Sequence, residues 1–291
     1  MTAPPTPSPS PASAAKPRTW RYWVWRLVRF ALLFYVGAVL LLLGFENSLV
    51  FFPTKYPGGE WQPHGFQPED AYFTAADGAK LHGWYVPVEE PIAVVLFCHG
   101  NGGNLTHRED LMWAMQRYVG ASVLVFDYRG YGRSEGSPSE QGVLSDARAA
   151  RAWLAQRAGI AEKDIVLMGE SLGGAVAVDL AAHDGARALV LEDTFSSLPD
   201  VAAVHYPWLP VRWLMRSRFD SLSKISKYHG PLLMAHGDAD SIVPYALGEK
   251  LFAAANEPKQ WIREPGYNHN DPRSTEFLDQ LKKFLSALPA P

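Results

Sequence analysis

The segment Gly169-Glu170-Ser171-Leu172-Gly173-Gly174 restricts the fold of this 291-residue chain more than any other. It follows directly on the apolar run Asp164-Ile165-Val166-Leu167-Met168 and opens a helical pattern over 172–183. In a strand–turn–helix of this kind the serine adopts a strained backbone that lifts its hydroxyl above the sheet edge. Glycine is needed two residues to either side, because a Cβ there would run into the neighbouring strand and helix. A serine that merely caps the helix is the competing reading, and it does not explain the flanking glycines.

The pattern around that turn alternates. Strand candidates lie at 93–98, 122–127, 164–168, 188–192, 231–235 and 259–263, with helical patterns at 108–119, 140–157, 172–183, 245–255 and 275–288. Central runs such as Val94-Val95-Leu96-Phe97-Cys98 are apolar throughout, as a sheet covered by helices on both faces requires. Runs at 71–76 and 80–86 flank Asp77-Gly78, a hairpin signal. Together these predict a doubly wound, mostly parallel α/β sheet that begins with an antiparallel hairpin. Almost forty residues separate the strands at 188–192 and 231–235, and they include Tyr206, Trp208 and Trp213. That is too long and too aromatic for a plain connection, so a short inserted cap is expected over about 195–228.

A serine hydroxyl is a weak nucleophile until a base, itself oriented by an acid, takes its proton. In this architecture the chain order is serine, acid, histidine. Two downstream segments fit, His236-Gly237-Asp238-Ala239-Asp240 and Tyr267-Asn268-His269. Each lies just beyond the carboxyl end of a strand candidate, at the sheet edge that carries Ser171. Asp240 and His269 are the expected acid and base, with Asp238 the rival acid. His183 falls at a helix end, His205 and His229 in or near the cap, and His236 at a strand end suited to stabilising a turn.

The strand at 93–98 runs into His99-Gly100-Asn101-Gly102-Gly103-Asn104. Such a turn can aim backbone N–H groups at a tetrahedral oxyanion, with Asn101 and Leu172 the expected donors. Phosphate binding is disfavoured. Gly100, Gly102 and Gly103, like Gly130, Gly132 and Gly136, do not keep the G-x-G-x-x-G spacing, and no G-K-[ST] follows. With no H-E-x-x-H and no clustered histidines, neither a metal nor a cofactor is expected.

The N-terminal region has a different character. Residues 1–29 hold Lys16, Arg18, Arg21, Arg26 and Arg29 and no acid, leaving the remainder at −8 within a net charge of −3. So acidic a body is a poor partner for nucleic acid. Residues 1–19, rich in Pro, Ser, Thr and Ala, have too little to bury to offset backbone ordering and are expected to be disordered. Trp20, Tyr22, Trp23 and Trp25 suit an interfacial belt. The uncharged run from Phe30 to Phe45 is 16 residues, or 19 counted from Leu27, with Arg29 placed to snorkel. A core helix is seldom apolar all round behind a basic tail, and 40–52 offers no small-residue cleavage site. An uncleaved anchor over 20–46 is therefore expected, with the catalytic domain over 47–291. Only Lys55 is basic between Glu46 and Asp70. Positive-inside then predicts a single-pass protein with a cytoplasmic N-terminus and the large domain across the membrane, in the periplasm of a bacterium. Cys98, the single cysteine, excludes an intramolecular disulfide.

HGNGGN (99–104), FDYRGYGRSEGSPSEQG (126–142), GESLGG (169–174), HGDADSIVP (236–244) and GYNHND (266–271) resemble the α/β-hydrolase superfamily. More narrowly they are similar to its membrane-anchored branch of serine aminopeptidase-like hydrolases, as is the stretch 46–57. The resemblance implies the α/β-hydrolase fold and hydrolysis of ester, thioester or lipid-ester bonds by Ser171, His269 and Asp240. It also implies structural roles for Asp127 and Arg129. The cap matches no pattern that sets specificity. Its aromatic residues interleave with Arg212, Arg216 and Arg218, which suits an acyl-chain channel resting on anionic headgroups, or equally a cover packed on the sheet edge. A peptidase acting on short peptides and a non-catalytic membrane scaffold are the alternatives.

Overall fold

The computed structural model describes residues 1, 3 and 19–289. The tail expected to be disordered over 1–19 lies almost wholly outside the described residues. The chain divides into two compact units, Met1–Gly44 and Phe45–Pro291. In the first, α1 (Trp20–Gly44) has 25 residues, none of them buried, and is long and apolar enough to cross a membrane. At 1.5 Å per residue it measures about 38 Å, more than a hydrocarbon core needs. It stops at Gly44, a weak helix former, rather than running on to 46. Glu46 instead starts a separate short helix, α2 (Glu46–Val50).

The second unit is built on an eight-stranded sheet. Its strands are β2 (Glu69–Thr74), β3 (Lys80–Val86), β4 (Val94–Cys98), β6 (Ser122–Asp127), β7 (Val166–Glu170), β8 (Ala188–Glu192), β9 (Leu232–Gly237) and β10 (Lys259–Glu264). The two-residue strands β1 (Phe52–Pro53) and β5 (Gly102–Gly103) pair separately, in parallel. The main order is β10-β9-β8-β7-β4-β6-β3-β2. β2–β3 and β3–β6 are antiparallel and every other pairing is parallel. From β4 the chain steps to β6 on one side and then back to β7 on the other. The crevice beyond the carboxyl ends of β4 and β7 is thus the topological switch point, where open α/β sheets bind their ligands.

Alternate residues of the central strands face opposite layers. Leu96, Leu124, Leu167 and Leu189 pack against α4 (Glu140–Ala158) and α5 (Leu172–Asp184), through Val143, Leu154, Val176 and Leu180. Val95, Val125, Val166 and Val190 pack on the other face against α3 (Glu109–Ala114) and α10 (Thr275–Ser286), through Leu111, Phe277 and Leu281. The doubly wound sheet is therefore as expected, with local shifts. The strand expected at 164–168 begins at Val166 because Glu162–Asp164 forms a 3-10 turn. The helix expected over 108–119 starts as a 3-10 turn at Leu105, capped by the Asn104 side chain, and ends as a π turn over Met115–Val119.

The chain from 195 to 228 forms three short helices, α6 (Leu198–His205), α7 (Val211–Leu214) and α8 (Leu222–Ile225). Phe195, Phe219, Ile225 and Tyr228 are buried, whereas Tyr206, Trp208 and Trp213 are exposed, Trp213 at 90%. One more helix, α9 (Tyr245–Ala254), follows β9.

Candidate active site

Ser171 joins β7 to α5 at φ 51 and ψ −121, a conformation costing a side-chain-bearing residue about 1–3 kcal/mol. The end of β8 holds it there. Ser171 N donates to Glu192 O at 2.9 Å, and Thr194 Oγ1 donates to Ser171 O at 2.7 Å. A Cβ on Gly169 would come 2.3 Å from Gly173 O, and one on Gly173 would come 2.0 Å from Cys98 O. Both glycines are therefore demanded by backbone contact.

His269 Nε2 lies 3.0 Å from Ser171 Oγ, and His269 Nδ1 lies 2.7 Å from Asp240 Oδ2. Asp240 is buried, and its Oδ1 accepts from Ile242 N at 2.8 Å and Val243 N at 2.7 Å. Burial opposes its charge, but hydrogen bonds from His236, His269 and the Val243 N–H outweigh it and hold the carboxyl well below the usual range. An ionised Asp240 fixes the proton of neutral His269 on Nδ1 and leaves Nε2 to accept from the serine hydroxyl. Burial also disfavours a charged His269. The hydrogen bond and charge of Asp240, joined by Asp193 and Glu170, overcome that and raise its pKa above 6.5.

The acid-bearing and histidine-bearing loops are laced together. Ala239 N donates to Tyr267 O at 3.1 Å, and Ser241 N and Oγ both donate to Asn268 Oδ1 at 3.0 Å. Asp238, the rival acid, is engaged elsewhere, accepting from Arg263 Nε at 2.9 Å and Gly266 N at 2.6 Å. His183, His205 and His229 meet Asp179 O, Ile242 O and Asn256. His236 is buried with Nε2 3.0 Å from Val243 O, holding the turn that carries Asp240.

The turn after β4 abuts the serine, a Cβ on Gly100 falling 3.6 Å from Ser171 Cβ. Among the described residues, neither Asn101 N nor Leu172 N has an internal acceptor. The turn is braced from outside by the segment that follows α2. Val50 O accepts from Asn101 Nδ2 at 2.9 Å, Phe52 N donates to Asn101 O at 2.9 Å, and Thr54 N donates to Gly103 O at 2.8 Å. The same segment reaches the cap. Buried Glu46 accepts from Arg216 N at 3.0 Å and Ser217 N at 2.6 Å, and Phe51 meets the edge of Phe219 with centroids 6.2 Å apart.

Beneath the serine lies an ion-pair network absent from the sequence expectations. Glu170 accepts from Arg108 Nε at 2.6 Å, Arg273 Nη2 at 2.9 Å and Gly100 N at 3.1 Å, and Arg273 Nε also pairs with Glu192 at 2.7 Å. Burial works against the Glu170 anion, but the two guanidinium groups bring its carboxyl down to about 2. Burial pushes Glu192, which has Arg273 alone, up to about 7. Asp193 was also missed. It stands near His269 and Asp240, and its signal was an acidic pair ending a strand at the serine's own sheet edge. Asp127 and Arg129 hold scaffold: Asp127 Oδ1 accepts from Leu105 N at 2.8 Å, and Arg129 pairs with Asp77 and Asp146.

Residues 95–287 match the family model described as the alpha/beta hydrolase family. The chain is 42% identical over 258 residues to the uncharacterised protein Rv2307c of Mycobacterium tuberculosis (strain ATCC 25618 / H37Rv), covering 86% of this chain and 90% of that one. Its fold is similar to that of the Pyrococcus furiosus esterase Pf2001, with a TM-score of 0.65 at 20% identity, covering 82% of this chain and 98% of the esterase. It is also similar to that of an acetyl xylan esterase from Paenibacillus sp. R4, with a TM-score of 0.64 at 20% identity over 79% and 86% of the two chains. The chain belongs to the α/β-hydrolase family, and that membership supports a hydrolase.

Proposed function

We propose that this chain is a serine esterase acting on acyl esters through Ser171, His269 and Asp240. The observation that carries the reading is the relay of short contacts, 3.0 Å from Ser171 Oγ to His269 Nε2 and 2.7 Å from His269 Nδ1 to Asp240. Ser171 Oγ attacks the acyl carbonyl as His269 takes its proton, and Asp240 stabilises the imidazolium. The tetrahedral oxyanion is held by the N–H groups of Asn101 and Leu172. His269 returns the proton to the departing alkoxide, leaving an acyl group on Ser171. Water, deprotonated by His269, then attacks that ester and releases the acid. The two esterases of similar fold favour this chemistry over peptide cleavage.

The finer reading is a lipid ester taken at a membrane. It is supported by α1, by the basic residues before it and by the exposed tryptophans of the cap. In this reading α1 is a single span, residues 1–19 face the cytoplasm and the large unit lies on the far side. A fluorophosphonate probe should label the full chain and fail to label Ser171→Ala. Acyl esters should be cleaved far faster than aminoacyl amides. No labelling, or a preference for the amides, would overturn the assignment.

A further inference from the structure

Asp193 is the first residue after β8, and it holds a left-handed backbone at φ 46. Few residues other than glycine, asparagine and aspartate accept that conformation. Two hydrogen bonds to β9 fix it: Asp193 N donates to Ala235 O at 3.0 Å, and Asp193 Oδ1 accepts from Gly237 N at 2.9 Å. In that pose an oxygen of Asp193, an oxygen of Asp240 and a ring nitrogen of His269 all lie within 4.8 Å of one another. Resting on the reading of His269 as the base for Ser171, we propose that Asp193 is a second positioning carboxylate for that histidine. With Asp240 it stabilises the imidazolium formed as Ser171 gives up its proton, and it sustains part of the relay when Asp240 is removed.

The charged groups acting on the imidazole are Asp240, Asp193 and Glu170. Glu170 is compensated by Arg108 and Arg273, so the two aspartates supply the uncompensated negative field. Asp193 in turn faces His236, His269 and Asp240, with Glu192 and Glu264 nearby. Burial pushes its carboxyl upward, while the Gly237 N–H and the two histidines pull the other way. A group so placed gains most from an imidazolium, which is the species the reaction creates.

The test is Asp193→Asn in the full chain. Asparagine tolerates the left-handed backbone and keeps an oxygen for the Gly237 N–H, so a purely structural role survives and only the charge is lost. Two pH profiles are read: fluorophosphonate inactivation at Ser171, and kcat/KM on a soluble p-nitrophenyl ester. The acid limb of both should move to lower pH by about one unit, because removing a nearby anion makes the imidazolium less stable. Asp240→Asn should keep at least about tenfold more turnover than the double variant with Asp193→Asn, the sign of a shared task. An unmoved limb, or a double variant no worse than Asp240→Asn, overturns the inference. If the unsubstituted chain is not labelled at Ser171, the reading of the whole site fails first, and that result is told apart from normal labelling with an unmoved limb.

Discussion

Replacing Ser171 by alanine removes the hydroxyl and keeps the strained backbone, since β8 grips residue 171 through its N–H and C=O. Ester turnover should fall by about 10³-fold or more. The thermal midpoint should move by less than about 2 °C, because no buried contact is lost. Full turnover in that variant would sink the role of Ser171. The two candidate acids separate in the same assay. Asp240→Asn removes the anion that faces His269 Nδ1, whereas Asp238→Asn loosens only Arg263 and Gly266. The first should cost kcat at least about 100-fold and the second less than about twofold. The pH profile follows from the upward shift of His269. Only neutral imidazole can take the serine proton, so kcat/KM declines as pH falls through the histidine pKa. A raised pKa places the midpoint of that decline above 6.5, and a midpoint below 6.5 in the unsubstituted chain would contradict the electrostatic account.

The elements that meet at the switch point were legible to different degrees, for physical reasons. β4, β6, β7 and β8 are buried on both faces and so read as unbroken apolar runs, while Ser171, Asp240 and His269 follow strand ends that such runs mark. Glu46 was read as the last residue of an apolar anchor. Its role as a buried acceptor depends on Arg216 and Ser217, 170 residues away, and no local pattern reports a partner at that distance. The pairing of β1 with β5 is two residues long and carries no periodicity to detect. Asp193 was passed over because the expected order looked for the acid one strand later. These illegible pieces brace the oxyanion turn, which gives them a measurable consequence. Glu46→Ala leaves the Arg216 and Ser217 N–H groups without their acceptor and should destabilise the large unit by about 1–3 kcal/mol in denaturant titration. Asn101→Ala keeps the backbone donor but frees the turn from Val50 O. It should lower kcat several-fold with KM little changed. An unchanged kcat would mean that β1 and α2 merely cover the site.

At the scale of the whole molecule, the open question is what the anchor delivers. The second unit carries every proposed catalytic group, from Asn101 to His269, and its bracing segment begins at Glu46. A chain starting at Phe45 should therefore hydrolyse short soluble esters at the rate of the full protein. The cap divides in two. Phe195, Phe219 and Ile225 are spent on packing, whereas Tyr206, Trp208 and Trp213 face outward at 52%, 63% and 90% exposure. Large aromatics left in water contribute nothing to the core, and tryptophan is at home in the interfacial layer of a bilayer. Arginines 212, 216 and 218 lie in the same stretch and suit anionic headgroups. If anchor and cap together present membrane lipids to Ser171, removing residues 1–44 should abolish most hydrolysis of decanoyl esters held in anionic vesicles. Trp208→Ala with Trp213→Ala in the full chain should weaken vesicle hydrolysis several-fold while sparing p-nitrophenyl acetate. Equal vesicle rates with and without α1 would make the helix a tether with no part in substrate delivery. A strict preference for acetyl over decanoyl esters in solution would remove the lipid substrate altogether, leaving a small-ester hydrolase whose exposed tryptophans serve another purpose.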